Sequence, residues 1–279
     1  MTTEQTGFFT NRTNLKIFWR RLLPAGEVRA TVLVVHGWAE HSGRYGNVYD
    51  ALLPLGFQIY AIDHQGHGKS EGVRSYVDRF GDYVEDLHQF YREQITPQLG
   101  GKKFFVLGHS MGSSIAMHYA AAHASELAGL VLSGTGSTLA GTPKLLTFFS
   151  QLLSAIVPKL GVKSPHKNEF ISHDPAVVEA YNKDPMVFAP HITVRLGAEF
   201  YRGTIEGAAK LSQLTIPLLI VYGSEDTSYA GQNALFDRYR GQDRTIYCYT
   251  GARHEVFNEI PEYRDKALAD VKAWFEQRC

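Results

Sequence analysis

The chain has 279 residues, with 28 Lys and Arg against 28 Asp and Glu, so it carries no formal net charge, and 44% of it is hydrophobic against 20% charged. At this length one core buries about three quarters of the surface that the unfolded chain exposes, so folding needs no disulfide or metal staple. The basic residues are scattered without the patch or stripe that a nucleic acid requires, which excludes nucleic-acid binding as the main activity.

Only two cysteines occur, Cys248 in an apolar alternating run and Cys279 at the end of the sequence. That is neither a disulfide framework nor metal-ligand spacing, and it suits a reducing compartment. Met1 to Asn14 lacks the basic start and apolar stretch of a signal peptide, and no apolar run approaches the roughly 20 residues that span a bilayer. A cytoplasmic protein is expected.

In chain order, Leu15, Ile17 and Trp19 alternate with Lys16, Phe18 and Arg20, as in a strand with one buried face. Thr31 to Val35 is a continuous apolar run, suited to a strand covered on both sides. A short helix is expected around Tyr49, Leu52 and Leu53 up to Gly56, and a strand over Phe57 to Ile62. Phe80, Val84, Leu87 and Tyr91 recur at helical spacing. A strand at Phe104 to Leu107, a helix from Met111 to about His123 and a strand at Leu130 to Leu132 follow. Strand-then-helix order of this kind predicts an α/β fold, because each parallel crossover needs a dozen or so residues.

From Gly134 the pattern changes, with Gly136, Gly141, Pro143, Pro158, Gly161 and Pro165 interrupting a mainly helical stretch. Leu145, Phe148, Phe149, Leu152, Ile156 and Leu160 form an apolar stripe, which suits equally a helix packed on the core or a lid helix facing a ligand or lipid surface. Strand signals return at Leu218 to Tyr222 and Thr245 to Tyr249, separated by a helix around Ala234 to Tyr239. A last helix carries Ala267, Leu268, Val271, Trp274 and Phe275. Residues 1–133 and 215–279 are therefore expected to form one core, with 134–214 inserted as a cap.

The chemistry concentrates at Gly108-His109-Ser110-Met111-Gly112, a G-x-S-x-G pentapeptide placed between a strand and a helix. A turn this tight requires its flanking glycines and lifts the serine hydroxyl above the sheet. That hydroxyl needs a neutral histidine to take its proton and an acid to hold the imidazole. After such a turn the acid and then the histidine come from loops following later strands. Gly223-Ser224-Glu225-Asp226 and Thr250-Gly251-Ala252-Arg253-His254 occupy those places. Ser110 is the expected nucleophile, His254 the base and Asp226 the acid, with Glu225 as the rival acid. The backbone N–H groups of Met111 and Trp38 are the expected oxyanion donors. His64 and His67 offer a weaker metal reading, with no carboxylate or thiol cluster beside them.

Three segments together, His36 to Tyr45, Asp63 to Gly72 and Gly108 to Gly112, resemble the monoacylglycerol lipase family of α/β-hydrolases. The likeness continues through Asp174 to Met186, Gly223 to Asp226 and His254 to Glu259. It implies a mostly parallel central sheet with helices on both faces, a mainly helical cap over a narrow apolar acyl pocket, and a serine esterase acting on monoacylglycerols. The family's triad falls on Ser110, Asp226 and His254 and its oxyanion donors on Trp38 and Met111, with no metal and no cofactor. The implied partner is a lipid ester, and the apolar stripe Leu145 to Leu160 adds the expectation that the cap docks on a membrane or lipid aggregate. The segment Asp63 to Gly72 is implied to be a structural turn.

Two positions depart from the family pattern. Ser113 stands where a small glycine is usual, and Trp38 is bulky where a small residue is common, which leaves acyl-chain preference open. Lysophospholipid hydrolysis is an alternative substrate class. An aminopeptidase would need a cap carboxylate such as Glu169, Glu179 or Glu199 to hold the substrate amine. A dehalogenase or epoxide hydrolase would need an aspartate in place of Ser110. The reading furthest from these is a non-catalytic ligand-binding protein on the same fold.

Overall fold

A computed structural model describes residues 3–141, 151–164, 168–188 and 191–279. Eight strands form the central sheet: β1 (Thr3–Thr10), β2 (Lys16–Leu23), β3 (Ala30–Val35), β4 (Phe57–Ile62), β5 (Lys103–His109), β6 (Gly129–Ser133), β10 (Leu218–Gly223) and β12 (Arg244–Tyr249). Their spatial order is β1-β2-β4-β3-β5-β6-β10-β12. β1 and β2 pair antiparallel, β2 meets β4 antiparallel, and every pair from β4 to β12 is parallel. This is the mostly parallel α/β sheet expected from the strand-helix alternation, in the α/β-hydrolase arrangement that the family resemblance implies.

Alternate residues of the central strands feed two separate apolar layers. Leu33, Val35, Val106 and Leu132 face a layer that also holds Phe80, Leu87, Ile115 and Phe200. Val32, Val34, Leu107 and Val131 face a second layer with Val48, Leu52, Val271 and Phe275. The period of two in a strand thus explains why the central runs are apolar throughout: both faces are covered.

The sequence of β3, β4 and β5 carries the functional consequence. From β3 the chain steps to β4 on one side and then to β5 on the other, so β3 and β5 are neighbours that diverge in connection. A crevice opens outside the carboxyl ends at such a switch point. The loops leaving β3 and β5 carry His36-Gly37-Trp38 and Ser110.

One expectation needs correction, and two features lie outside the expectations. β1 was not anticipated, because seven of its eight residues are solvent-exposed or only half-buried and it shows little apolar alternation. β2 does not have one buried face, since Ile17 and its neighbour Phe18 are both buried. Cys248 is exposed, on the edge strand β12.

Between β6 and β10 the described elements are β7 (Thr138–Leu139), helical residues 151–156, β8 (Gly161–Lys163), a helix at Pro175–Lys183, β9 (His191–Thr193) and a long helix at Val194–Leu211. β7 pairs with β11 (Tyr229–Ala230), and β8 with β9. The long helix packs on the core: a Cβ at Gly203 would lie 2.5 Å from the Phe80 ring, so only glycine allows the approach. Of the apolar stripe, Leu145, Phe148 and Phe149 lie outside the described residues. Leu152, Ile156 and Leu160 are 56%, 73% and 50% exposed, so this half does not pack on the core.

Candidate active site

Ser110 sits between β5 and the helix Met111–His123 with φ 54° and ψ −124°, a backbone conformation that side-chain-bearing residues rarely adopt. Its neighbours explain how the turn is held. A Cβ at Gly108 would lie 2.5 Å from the Gly112 carbonyl oxygen, and one at Gly112 would lie 2.1 Å from that of Val35. Ser110 N–H donates to the Ser133 carbonyl at 3.0 Å. Ser113, one of the two departures from the family pattern, donates its hydroxyl proton to the Ser110 carbonyl at 2.7 Å, and its oxygen lies 2.8 Å from the Thr135 hydroxyl, which can donate to it. It therefore braces the turn.

The loops after β10 and β12 bring Asp226 and His254 together. His254 Nδ1 lies 2.8 Å from Asp226 Oδ2, with both side chains almost fully buried. The other Asp226 oxygen accepts from Ser228 N–H at 2.7 Å. Burial alone would push the imidazole down, but the charge and hydrogen bond of Asp226, with Glu255 and Glu40 beyond, hold its pKa above the ordinary 6.5. Burial likewise opposes ionisation of Asp226, and His254 more than offsets it, so the carboxyl stays below its usual range. Glu225, the rival acid, turns away: its carboxylate is 55% exposed and lies 3.4 Å from His173 Nε2.

The His254 ring lies 4.8 Å, centroid to centroid, from that of His109, the residue before Ser110. The turn at Gly134 fits against both rings, where a Cβ would lie 2.9 Å from each. Ser110, Asp226 and His254 thus share the carboxyl edge of the sheet, with Ser110 at the start of a helix whose positive end favours a developing anion.

The loop after β3 is held from both sides. A Cβ on Gly37 would lie 3.0 Å from Ser110 Cβ, which puts this loop against the Ser110 turn. His36 is fully buried and its pKa is pushed down to about 3 by burial, so the ring is neutral. Its Nε2 accepts from His64 N–H at 2.9 Å, so Nδ1 carries the proton and donates to the Gly37 carbonyl at 2.7 Å. That carbonyl belongs to the same peptide plane as the Trp38 N–H, so the ring fixes the direction of the expected oxyanion donor. The Trp38 indole donates to Ser75 Oγ at 2.6 Å, and the Ser75 carbonyl accepts from Thr193 Oγ1 at 2.5 Å. The bulky departure at Trp38 is thereby tied to the start of the long inserted helix.

Sequence reasoning assigned no role to Glu40, Arg44 and Glu255, which form a buried ionic chain beside this site. Glu40 Oε1 accepts from Gly37 N–H at 2.6 Å and from Tyr45 at 2.8 Å. Arg44 lies 3.0 Å from Glu40 and binds Glu255 through two hydrogen bonds of 2.7 and 2.8 Å. The chain connects the loop after β3 to the residue following His254. Burial raises the pKa of Glu40, whereas Arg44 overcomes burial at Glu255 and brings it down to about 2. The only signal in the sequence was the run of charged and aromatic residues from Glu40 to Tyr45 directly after an apolar strand.

The segment Asp63 to Gly72 is a turn around Asp63, whose carboxylate accepts from Ser42 N–H and hydroxyl and from Lys69 N–H at 2.6–2.9 Å. His64 and His67 are fully buried among His36 and Tyr83 and lie in no three-ligand metal cluster among the described residues. Of the three carboxylates named for an aminopeptidase, Glu199 accepts from Phe80 N–H at 2.8 Å and pairs with Arg202, Glu179 pairs with Lys183, and Glu169 is exposed.

Residues 26–261 match the family model described as serine aminopeptidase, S33. The chain is 32% identical to human monoglyceride lipase over 268 residues, covering 94% of this chain and 87% of that protein. It is 34% identical to a monoacylglycerol lipase of Mycolicibacterium smegmatis over 254 residues, 90% of this chain and 89% of the other. The crystal structure of a monoacylglycerol lipase from Paleococcus ferrophilus superposes with a TM-score of 0.82 at 26% identity, covering 99% of this chain and all of that one.

Proposed function

This chain belongs to the serine aminopeptidase S33 family and, within it, to the monoacylglycerol lipases, and from that premise we propose that it hydrolyses monoacylglycerols to fatty acid and glycerol. The observation that carries the reading is the buried His254–Asp226 pair beside the strained turn at Ser110.

In this reading Ser110 Oγ attacks the acyl carbonyl while His254 takes its proton through Nε2, the ring atom that Asp226 leaves available. Asp226 stabilises the imidazolium so formed and holds the tautomer. The N–H groups of Met111 and Trp38 receive the oxyanion, the latter held in direction by His36. Collapse of the tetrahedral intermediate breaks the ester C–O bond, and His254 returns the proton to the departing glycerol oxygen. Water then attacks the acyl-enzyme, giving its proton to His254, and the fatty acid leaves as Ser110 recovers its own.

Residues 134–214 act as a cap over the crevice, with 1–133 and 215–279 as the catalytic core. The exposed Leu152, Ile156 and Leu160 meet a lipid surface, which makes the protein a cytoplasmic enzyme working at membranes or lipid aggregates. Among the described residues no helix is long and apolar enough to cross a membrane. The ester reading is preferred to the aminopeptidase one because two of the three carboxylates that could hold an amine, Glu199 and Glu179, are already paired.

The test is hydrolysis by wild type and Ser110→Ala of monoacylglycerols of graded chain length, beside a lysophospholipid and an aminoacyl amide. Serine-dependent turnover of the glycerides is expected. Cleavage of the amide or lysolipid alone would overturn the substrate, and equal turnover by the variant would overturn the nucleophile.

A further inference from the structure

A second cluster of chemically capable side chains lies at the far end of the helix Met111–His123, about 20 Å along its axis from Ser110. His123 ends this helix, His88 lies in the last turn of the helix Phe80–Phe90, and Glu126 closes the short turn Ala124–Glu126. The two imidazole rings stack at 3.7 Å with planes 5° apart. Their Nδ1 atoms each face a different oxygen of one carboxylate: His88 Nδ1 lies 3.8 Å from Glu126 Oε2, and His123 Nδ1 lies 3.8 Å from Oε1. One donor atom from each residue lies within 4.8 Å of the other two.

Those separations are too long for hydrogen bonds. They are close to the edge of about 3.4 Å that a tetrahedron has when its centre-to-ligand bonds are 2.0–2.1 Å. His88 Nδ1 is buried and has no hydrogen-bond partner, which is costly for a polar atom unless something else satisfies it. Tyr119 OH donates to Glu126 Oε2 at 3.0 Å and so fixes the carboxylate from outside, as the outer partners of metal ligands commonly do.

We propose that His88, His123 and Glu126 bind one divalent first-row transition ion, with Zn2+ the best match to two imidazoles and a carboxylate. Water completes the fourth position. The stacked rings hold their nitrogen lone pairs in parallel planes, so binding turns one ring about its Cβ–Cγ bond and converts a stacked pair into a chelating pair. The ion then clamps the ends of two helices that otherwise meet through side-chain packing. Its place far from the serine turn makes it a structural clamp that takes no part in ester hydrolysis. Sequence spacing did not point to it, because 35 residues separate the two histidines.

The experiment is a calorimetric titration of untagged, chelator-treated protein with Zn2+, paired with thermal melting, for wild type, His88→Gln, His123→Gln and Glu126→Gln. One ion per chain is expected in wild type, with a raised melting temperature that reverses on adding chelator. Each histidine variant should bind about tenfold or more weakly, and its melting temperature should no longer respond to Zn2+. Equal stoichiometry and affinity in His88→Gln and His123→Gln would overturn the site. Should these variants fail to fold, Cu2+ resonance spectra of the wild type decide: coupling to two imidazole nitrogens supports the site, and one or none overturns it.

Discussion

The carboxyl edge of the sheet and the inserted stretch around 151–164 are built on opposite rules. At the edge, His36, Glu40, Asp226, His254 and Glu255 are all buried or nearly so, and most of their polar atoms have a partner in another loop. In the inserted stretch Leu152, Leu153, Ile156, Val157, Leu160 and Val162 are exposed, and the surface they make is apolar. Transition-state stabilisation needs dipoles fixed before the reaction starts. Admission of a lipid needs apolar surface that water covers poorly and another apolar phase can replace. The two requirements cannot be met by one set of side chains, and under the proposed function the chain separates them along its length.

Breaking the rigid side should have the largest effect. Asp226→Asn should lower kcat by about 10⁴-fold, because the amide would hold the wrong imidazole tautomer. Steady-state kinetics on a short ester checks this, and a comparable loss in Glu225→Gln would move the acid role there. Gly112→Ala places a methyl group 2.1 Å from the Val35 carbonyl oxygen, so the turn must shift. Displacement of the nucleophile by about 1 Å should cost on the order of 10²-fold, readable as slower labelling of Ser110 by a fluorophosphonate.

Arg44→Met leaves Glu40 and Glu255 buried without their counter-charge, and should cost about 3–5 kcal/mol in denaturant unfolding. If stability is unchanged, the ionic chain does not tie the two loops. On the apolar side, Leu152→Glu with Ile156→Glu should weaken liposome binding while leaving hydrolysis of a short water-soluble ester as in wild type. Unchanged liposome binding would remove this surface from the proposal.

The smallest expected effect is in pH. His254 must be neutral to act as a base, and Asp226 raises its pKa, so kcat/KM should rise with pH through an apparent pKa above 6.5. Removing the negative charge in Asp226→Asn should move that limb to lower pH. The sign for stability is opposite: a raised histidine pKa adds stability that is complete below its unfolded value and is lost as pH rises through the folded one.

Local chemistry made part of this legible in the sequence. The G-x-S-x-G turn, the doubly apolar strands and the order of serine, acid and histidine all act over a few residues or through chain order. Sequence therefore determined the α/β class, the strand-to-helix placement of Ser110 and the loops that carry Asp226 and His254. β1 escaped because its pairing with β2 depends on backbone hydrogen bonds and needs little apolar side-chain signal.

Tertiary structure alone shows that Asp226 and not its neighbour Glu225 meets His254, since adjacent carboxylates differ only in which one the loop turns inward. It alone joined Glu40 and Arg44 to Glu255, 211 residues further on, and His88 to His123 and Glu126. The physical reason is range. Periodicity and turn sterics are written within one element, whereas a buried charge or a stacked imidazole acquires its meaning only from the atoms that folding brings to it.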